Sequence, residues 1–334
     1  MRLLILGGTV FLGRALAAHA VAAGDVVTCA ARGVSGEVPD GAELIRVDRD
    51  QPDGLAPLAG RDFDAVVDVA RRPSQVRAAL AALAGRTGHW TFVSTGSVYP
   101  VGAPPGLAPD DAPLLDEAPP EIDDPDVAGV EYYGPLKVTC ERLVRESGVP
   151  AVIQRAGLIV GPEDPSDRFT YWPVRLARGG DVVAPGAPED AVQFIDVRDL
   201  AEWTLRLARD GVTGVFNGVG TPMTRAEFLT SIAARVGADA PDGPPRLVWV
   251  EQEALQHAGV QPWAGKRSLP MWLPVPEYAG FMSRDVHASL AAGLVTRPVA
   301  DSAEDTLAWY RSTGSPALRC GLAPDEEAQL LAGL

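Results

Sequence analysis

The sequence predicts an α/β chain built on a doubly wound parallel sheet, with a smaller C-terminal lobe. Three observations lead there. Short β-branched runs, apolar throughout, alternate with helical patterns over the first half of the chain, as strands buried on both faces require. Glycines 7, 8 and 13 fall between the first such run and the first helical pattern. After Gly161 the alternation loosens into segments rich in proline and aromatic residues. A length of 334 residues suits two parts of unequal size, and a hydrophobic content of 46% is ample for a core.

Taken in order, RLLIL (2–6) is the first strand and FLGRALAAHAVAAG (11–24) the first helix. DVVTCA (25–30), ELIRV (43–47) and DAVVDVA (64–70) follow as strands, and QVRAALAALAG (75–85) as a helix. HWTFVS (89–94) and PAVIQRAG (150–157) are strands on either side of the helical YGPLKVTCERLVRES (133–147). The intervening 100–131 holds nine acidic residues, no basic one and many prolines, which reads as a solvated loop or as a flap leading to Tyr133. VQFIDVRDLAEWTLRLA (192–208) reads as strand then helix, so 190–217 is expected to return to the first part. The expected division is 1–165 for a Rossmann-type dinucleotide-binding domain and 166–334 for a substrate-binding lobe.

The glycines suit a nucleotide. Between a strand and a helix they permit a tight turn and bring a pyrophosphate to the helix N-terminus, where N–H groups and the dipole favour anions. The second strand distinguishes the nucleotides. NAD sites usually end it with Asp or Glu, for the ribose 2′-hydroxyl. Here it ends TCAARG, with Ala30, Ala31 and Arg32 and no carboxylate. A guanidinium suits a 2′-phosphate, so NADP(H) is favoured over NAD(H). Asp48, after the third strand, is placed to contact the adenine amino group.

Tyr133 and Lys137 stand four apart, on one face of a helix. The chain has 27 arginines and only two lysines, Lys137 and Lys266. A tyrosine near pKa 10 is a poor base at neutral pH, and a nearby ammonium stabilises its phenolate. The pair therefore reads as catalytic.

The bulk numbers narrow the partners. A net charge of −15 disfavours nucleic acid and anionic membranes, which need a basic face. Three scattered cysteines and four scattered histidines give no zinc or disulfide spacing, so no metal is expected. MRLLILGG falls short of the ~7–15 apolar residues of a signal peptide, and no run nears the ~18 of a membrane span. A cytoplasmic protein acting on a small molecule is the expectation, with a homodimer possible.

The segments GGTVFLG, FVSTGSVYP, YGPLK, RAGLIVGP and VQFIDVRDLA together resemble the extended short-chain dehydrogenase/reductase superfamily, typified by nucleotide-sugar epimerases and dehydratases. GGTVFLG further resembles a subgroup often described as reductase-like. The resemblance implies that Thr95 binds the substrate oxygen, with Ser94 and Ser97 as neighbours able to substitute for it. It makes Tyr133 the proton donor or acceptor and Lys137 a support for tyrosine and cofactor. The cofactor-binding set it implies is Gly7, Gly8, Thr9, Phe11, Leu12, Gly13, Arg32, Asp48, Val69, Ala70, Arg71, Lys137, Ala156 and Leu158.

Departures from the family pattern narrow the reaction. Gly96 and Ser97 stand where 4,6-dehydratases carry an Asp-Glu pair. Leu158 and Val192 replace an asparagine and an arginine that grip a sugar nucleotide's diphosphate. The leading expectation is an NADPH-dependent carbonyl reductase with Tyr133 as proton donor. The alternatives are a nucleotide-sugar 4-epimerase with bound NAD and a non-catalytic NADP-binding sensor or scaffold. Phe169, Tyr171, Trp172, Trp263 and Trp272 are expected to supply a mostly apolar or aromatic substrate pocket, with Arg168 as an anion anchor.

Overall fold

A computed structural model describes residues 1–333. Strands β1 (Arg2–Leu6), β2 (Val26–Ala31), β3 (Glu43–Arg46), β4 (Phe63–Asp68), β5 (Thr87–Thr95) and β6 (Ala151–Ala156) form one sheet with a seventh strand, Gly214–Gly218. All neighbours run parallel, in the order β3–β2–β1–β4–β5–β6 followed by Gly214–Gly218. The order reverses between β1 and β4, the switch point where doubly wound sheets open a ligand crevice at their carboxyl ends.

The strands are apolar because both faces are covered. Helices α1 (Phe11–Ala22), α2 (Pro73–Leu83), α3 (Pro125–Ala128), α4 (Tyr133–Glu146), α5 (Tyr171–Leu176) and α6 (Val197–Arg209) follow in chain order. Helices α1 and α6 lie on one face, over Leu3, Ile5, Val67 and Val152. Helices α2 and α4 lie on the other, over Leu4, Leu6, Val66 and Phe92. The C-terminal part has its own core, in which Phe169, Trp172 and Phe228 pack edge to face. A parallel pair, Asp181–Pro185 with Arg246–Val250, runs beside it. No helix of the described residues is long and apolar enough to cross a membrane.

The stretch read as one strand, 192–197, is broken. Two-residue strands at Ala191–Val192 and Ile195–Asp196 are separated by Gln193 and Phe194, and α6 already starts at Val197. The Gln193 amide donates to the carbonyls of Gly220 (2.9 Å) and Arg284 (3.0 Å) and accepts from the Arg284 N–H (2.9 Å). Side-chain pairing of that kind competes with a strand ladder and pins a remote segment instead.

A buried ion pair ties the sheet to the helix bearing Tyr133. Glu141 of α4 meets Arg155 of β6, Nη2 to Oε2 at 2.9 Å, with Nε also donating to Oε1 at 3.1 Å. Glu141 accepts further from Ser94 (2.6 Å) and Arg145 (2.8 Å), and Arg155 Nη1 donates to Tyr99 (3.1 Å) and the Pro109 carbonyl (3.0 Å). The acidic segment is thereby fastened to the fold at Pro109. Glu117 pairs with Arg142, and Leu114 and Leu115 pack on Val98 and Tyr99. Replacing Glu141→Ala leaves the Arg155 guanidinium buried and unpaired. Denaturant unfolding is expected to show a loss of about 3–5 kcal/mol, and a loss below ~1 kcal/mol would remove the pair from that role.

Candidate active site

The glycine loop is shaped by close approach. Gly8 has φ +96°, and a Cβ there would lie 2.6 Å from Cys29 Sγ. A Cβ on Gly13 would lie 2.5 Å from the Gly8 nitrogen, so α1 can start directly against the loop only without one. Val10 at the helix N-cap offers no side-chain hydrogen bond, which leaves the first N–H groups of α1 without a side-chain cap.

A cleft of about 500 Å³ runs from this loop along the carboxyl ends of β1, β2 and β4. Of the expected cofactor residues, Gly7, Gly8, Thr9, Arg32, Asp48, Val69, Ala70 and Arg71 line it. Phe11, Ala156 and Leu158 line a second cavity, described below, while Leu12 and Gly13 are buried under the loop. Among the described residues Arg32 has no carboxylate within salt-bridge distance, whereas Asp48 caps its own turn through the Asp50 N–H (3.1 Å). The far rim is built from the acidic segment. Arg71 donates to Asp126 (3.1 Å), and Arg72 meets Asp123 (2.9 Å) and Asp50 (2.9 Å). These residues fit a nicotinamide dinucleotide, whose pyrophosphate the glycine cradle would receive.

The second cavity, about 410 Å³, holds the chemical groups. Thr95 ends β5 and caps the next turn, accepting from the Ser97 N–H at 3.1 Å, so its hydroxyl is fixed by the chain that follows. Tyr133 opens α4, and α4 comes close to that turn because of Gly134, whose Cβ would sit 2.2 Å from the Ser97 carbonyl oxygen. Thr95, Ser97 and Tyr133 all face this cavity. Burial raises the Tyr133 phenol above its usual pKa, while the neighbouring Thr95 hydroxyl and the charges of Arg71 and Arg168 pull it down.

Lys137 is placed differently from the simple pairing read in the sequence. It is 2% exposed, and Nζ donates to the carbonyls of Ala70 (2.8 Å) and Val93 (2.5 Å) and lies 4.3 Å from the centre of the Phe92 ring. The lysine thus stitches the ends of β4 and β5 beneath the cleft. Burial lowers its ammonium from 10.5 to about 8, against the opposing effects of Cys140, Asp68 and Glu141.

The substrate residues divide. Ser97, Arg168 and Trp263 line the cavity. Ser94 does not, because its hydroxyl points through the sheet to Glu141. Trp172 is a core residue whose indole N–H donates to the Pro270 carbonyl (2.9 Å), and Phe169, Tyr171 and Trp272 are likewise buried away from the cavity. Sequence reasoning missed Asp164, Gln193, Phe281 and Arg284, which also line it. Arg284 stacks on Tyr99 (4.1 Å) and Phe281 (5.3 Å) and donates to the Gly96 carbonyl (2.9 Å). No local spacing signalled it, since it lies 189 positions after Thr95.

A family model described as NAD dependent epimerase/dehydratase family matches residues 3–218. No curated protein matches the chain significantly. Among solved structures, the Bordetella bronchiseptica enzyme WbmH in complex with NAD+ is 19% identical, with 94% of this chain and 99% of that one covered and a TM-score of 0.65. UDP-glucuronic acid 4-epimerase from Bacillus cereus in complex with NAD is 16% identical, with 95% and 99% covered and a TM-score of 0.65. UDP-N-acetylglucosamine 4-epimerase from Methanobrevibacter ruminantium M1 in complex with UDP-N-acetylmuramic acid is 16% identical, with 93% and 98% covered and a TM-score of 0.63. At these identities the likeness is one of fold.

The Lys137 environment has a pH signature. Its folded pKa lies below the unfolded value, so between about 8 and 10.5 the unfolded chain binds more protons. The burial penalty is complete below pH 8 and is relieved as pH rises through that window. Relative to Lys137→Met, the unfolding free energy of the wild type is therefore expected to rise by on the order of 3 kcal/mol from pH 7 to 10.5. A flat difference would mean that the amine keeps its ordinary pKa in the folded protein and carries no burial penalty.

Proposed function

The chain belongs to the NAD dependent epimerase/dehydratase family, and from that premise we propose that it carries out reversible hydride transfer at a hydroxyl-bearing carbon of a small molecule, in the manner of an epimerase. The observation that carries this reading is the convergence of Thr95 and Tyr133 on one cavity beside the dinucleotide cleft. A bound nicotinamide ring supplies the acceptor and donor of hydride. Everything else falls to this chain. Tyr133 Oη takes the proton from the substrate hydroxyl and returns it, while Thr95 Oγ1 donates a hydrogen bond to the same oxygen. Arg71 and Arg168 favour the phenolate, opposing burial. Lys137 holds the main chain of β4 and β5 in register under the site.

This ordering reverses the preference for a carbonyl reductase drawn from the sequence. The epimerase reading is supported by the family match and by the NAD-bound epimerases that share the fold. The reductase remains the second reading because of Arg32, which stands at the end of β2 where an NAD site would carry a carboxylate. Neither reading requires a nucleotide sugar. Leu158 and Val192 are both apolar, and Val192 is fully buried against the lobe core.

Denaturing freshly purified protein and identifying the released nucleotide separates the two. Stoichiometric NAD is expected for an epimerase, which takes a hydride and gives it back. An empty protein that binds NADPH over NADH, with a loss of roughly 10-fold or more in Arg32→Ala, would instead establish the reductase. In either case Tyr133→Phe is expected to slow turnover at least ~10²-fold while leaving dinucleotide affinity unchanged. Full activity in that variant would overturn the proton role.

A further inference from the structure

The substrate cavity contains an arginine without a counter-ion. Arg284 is 7% exposed and, among the described residues, has no carboxylate within 4 Å. Another cation, Arg155, shares the ring of Tyr99 with it. Only one of its five N–H donors is used, on the Gly96 carbonyl. The position is nonetheless rigid. Tyr99 and Phe281 stack on the guanidinium, and Gln193 holds the Arg284 main chain from both sides. Burial lowers its pKa to about 10.

The other charges of the cavity do not answer it. Arg168 donates to Ser166 (3.1 Å), stacks on Trp263 (4.6 Å) and feels the Asp164 carboxylate. Asp164 is tied to Ser166 by both oxygens and pairs with neither arginine within 4 Å. Two arginines and one aspartate leave a single positive charge in excess, among walls formed by Trp263, Phe281, Leu158 and Val219. A buried charge without a partner is costly, and groups kept in that state await an ion of opposite sign.

We infer that the substrate carries a carboxylate, received by Arg284 within a few ångströms of the reacting carbon. Proximity follows from connectivity, since Arg284 is bound to Gly96, the residue after Thr95. A single negative charge matches the excess, and a planar carboxylate matches the free edge of the guanidinium. A diphosphate would bring more charge than the cavity balances. The inference rests on the proposed reaction for the identity of the reacting carbon, but not for the anion site itself.

The test is calorimetric titration of the full chain, with and without dinucleotide. Its probes are benzoate against benzyl alcohol, glucuronate against glucose, and pyrophosphate and UDP as the phosphate arm. At least one carboxylate is expected to bind more tightly than its neutral counterpart, to weaken about 10-fold or more in Arg284→Gln, and to recover in part in Arg284→Lys. The aromatic and sugar pairs tell which body the carboxylate is attached to. Because Arg284→Gln removes an unpaired buried charge, its Tm is expected to stay level or rise. Equal binding of acids and neutral compounds, no binding by any acid, carboxylate affinity indifferent to Arg284, or Arg284-dependent binding of pyrophosphate would each overturn the inference. A large fall in the Tm of Arg284→Gln would assign the residue to the scaffold instead. Failure of the hydride-transfer reading would show separately, as full turnover by Tyr133→Phe.

Discussion

The buried pair of Glu141 and Arg155 is the constraint on which the site depends. It joins α4 to β6 and, through Ser94, to β5, so the helix that opens with Tyr133 cannot slide against the strand that ends with Thr95. A buried ion pair adds little net stability compared with apolar packing, because desolvation offsets most of the attraction. Its value here is positional. Both ions are held by several directional hydrogen bonds, and each bond fixes a different element.

The same node extends outward. Arg155 touches Tyr99, Tyr99 donates to Asn217 of the last sheet strand, and its ring carries Arg284 on the side facing the cavity. A single network therefore sets the elements that carry Thr95 and Tyr133, the closing strand of the sheet and the Arg284 guanidinium. Lys137 performs the corresponding task on the dinucleotide side. By bonding the carbonyls of Ala70 and Val93 it occupies main-chain acceptors that two parallel strands leave open at their diverging ends.

Much of this was legible in the sequence, and the reasons are physical. Apolar runs alternating with helical periodicity specify a sheet covered on both faces, and glycines at 7, 8 and 13 mark a turn that no Cβ would allow. Tyr133 is singled out by its spacing to Lys137 and Thr95 by the family resemblance of FVSTGSVYP, and each sits at the end of an element. What failed was whatever depends on direction. Ser94 and Thr95 are adjacent in a strand and so point to opposite faces, which sends one to Glu141 and the other to the cavity. Trp172 and Trp263 look alike as aromatic residues, yet one fills the lobe core and the other lines the cavity. The role of Lys137 was half visible, since spacing shows the shared helix face but not the carbonyls waiting on the neighbouring strands. Arg284 was invisible, because a contact across the lobe boundary leaves no periodic trace.

The acidic segment has a consequence of its own. Asp123 and Asp126 are tethered counter-ions, delivered to Arg72 and Arg71 at the high effective concentration that a short chain connection imposes. Free phosphate or any other small anion arriving from solution must displace them without help, and in a protein of net charge −15 it must do so against an unfavourable field. A dinucleotide whose pyrophosphate rested on the glycine loop would not face that competition alone, because the rest of the molecule would reach the rim already tethered. The rim would in this sense act as an internal competitor, screening ligands by their valency rather than their charge.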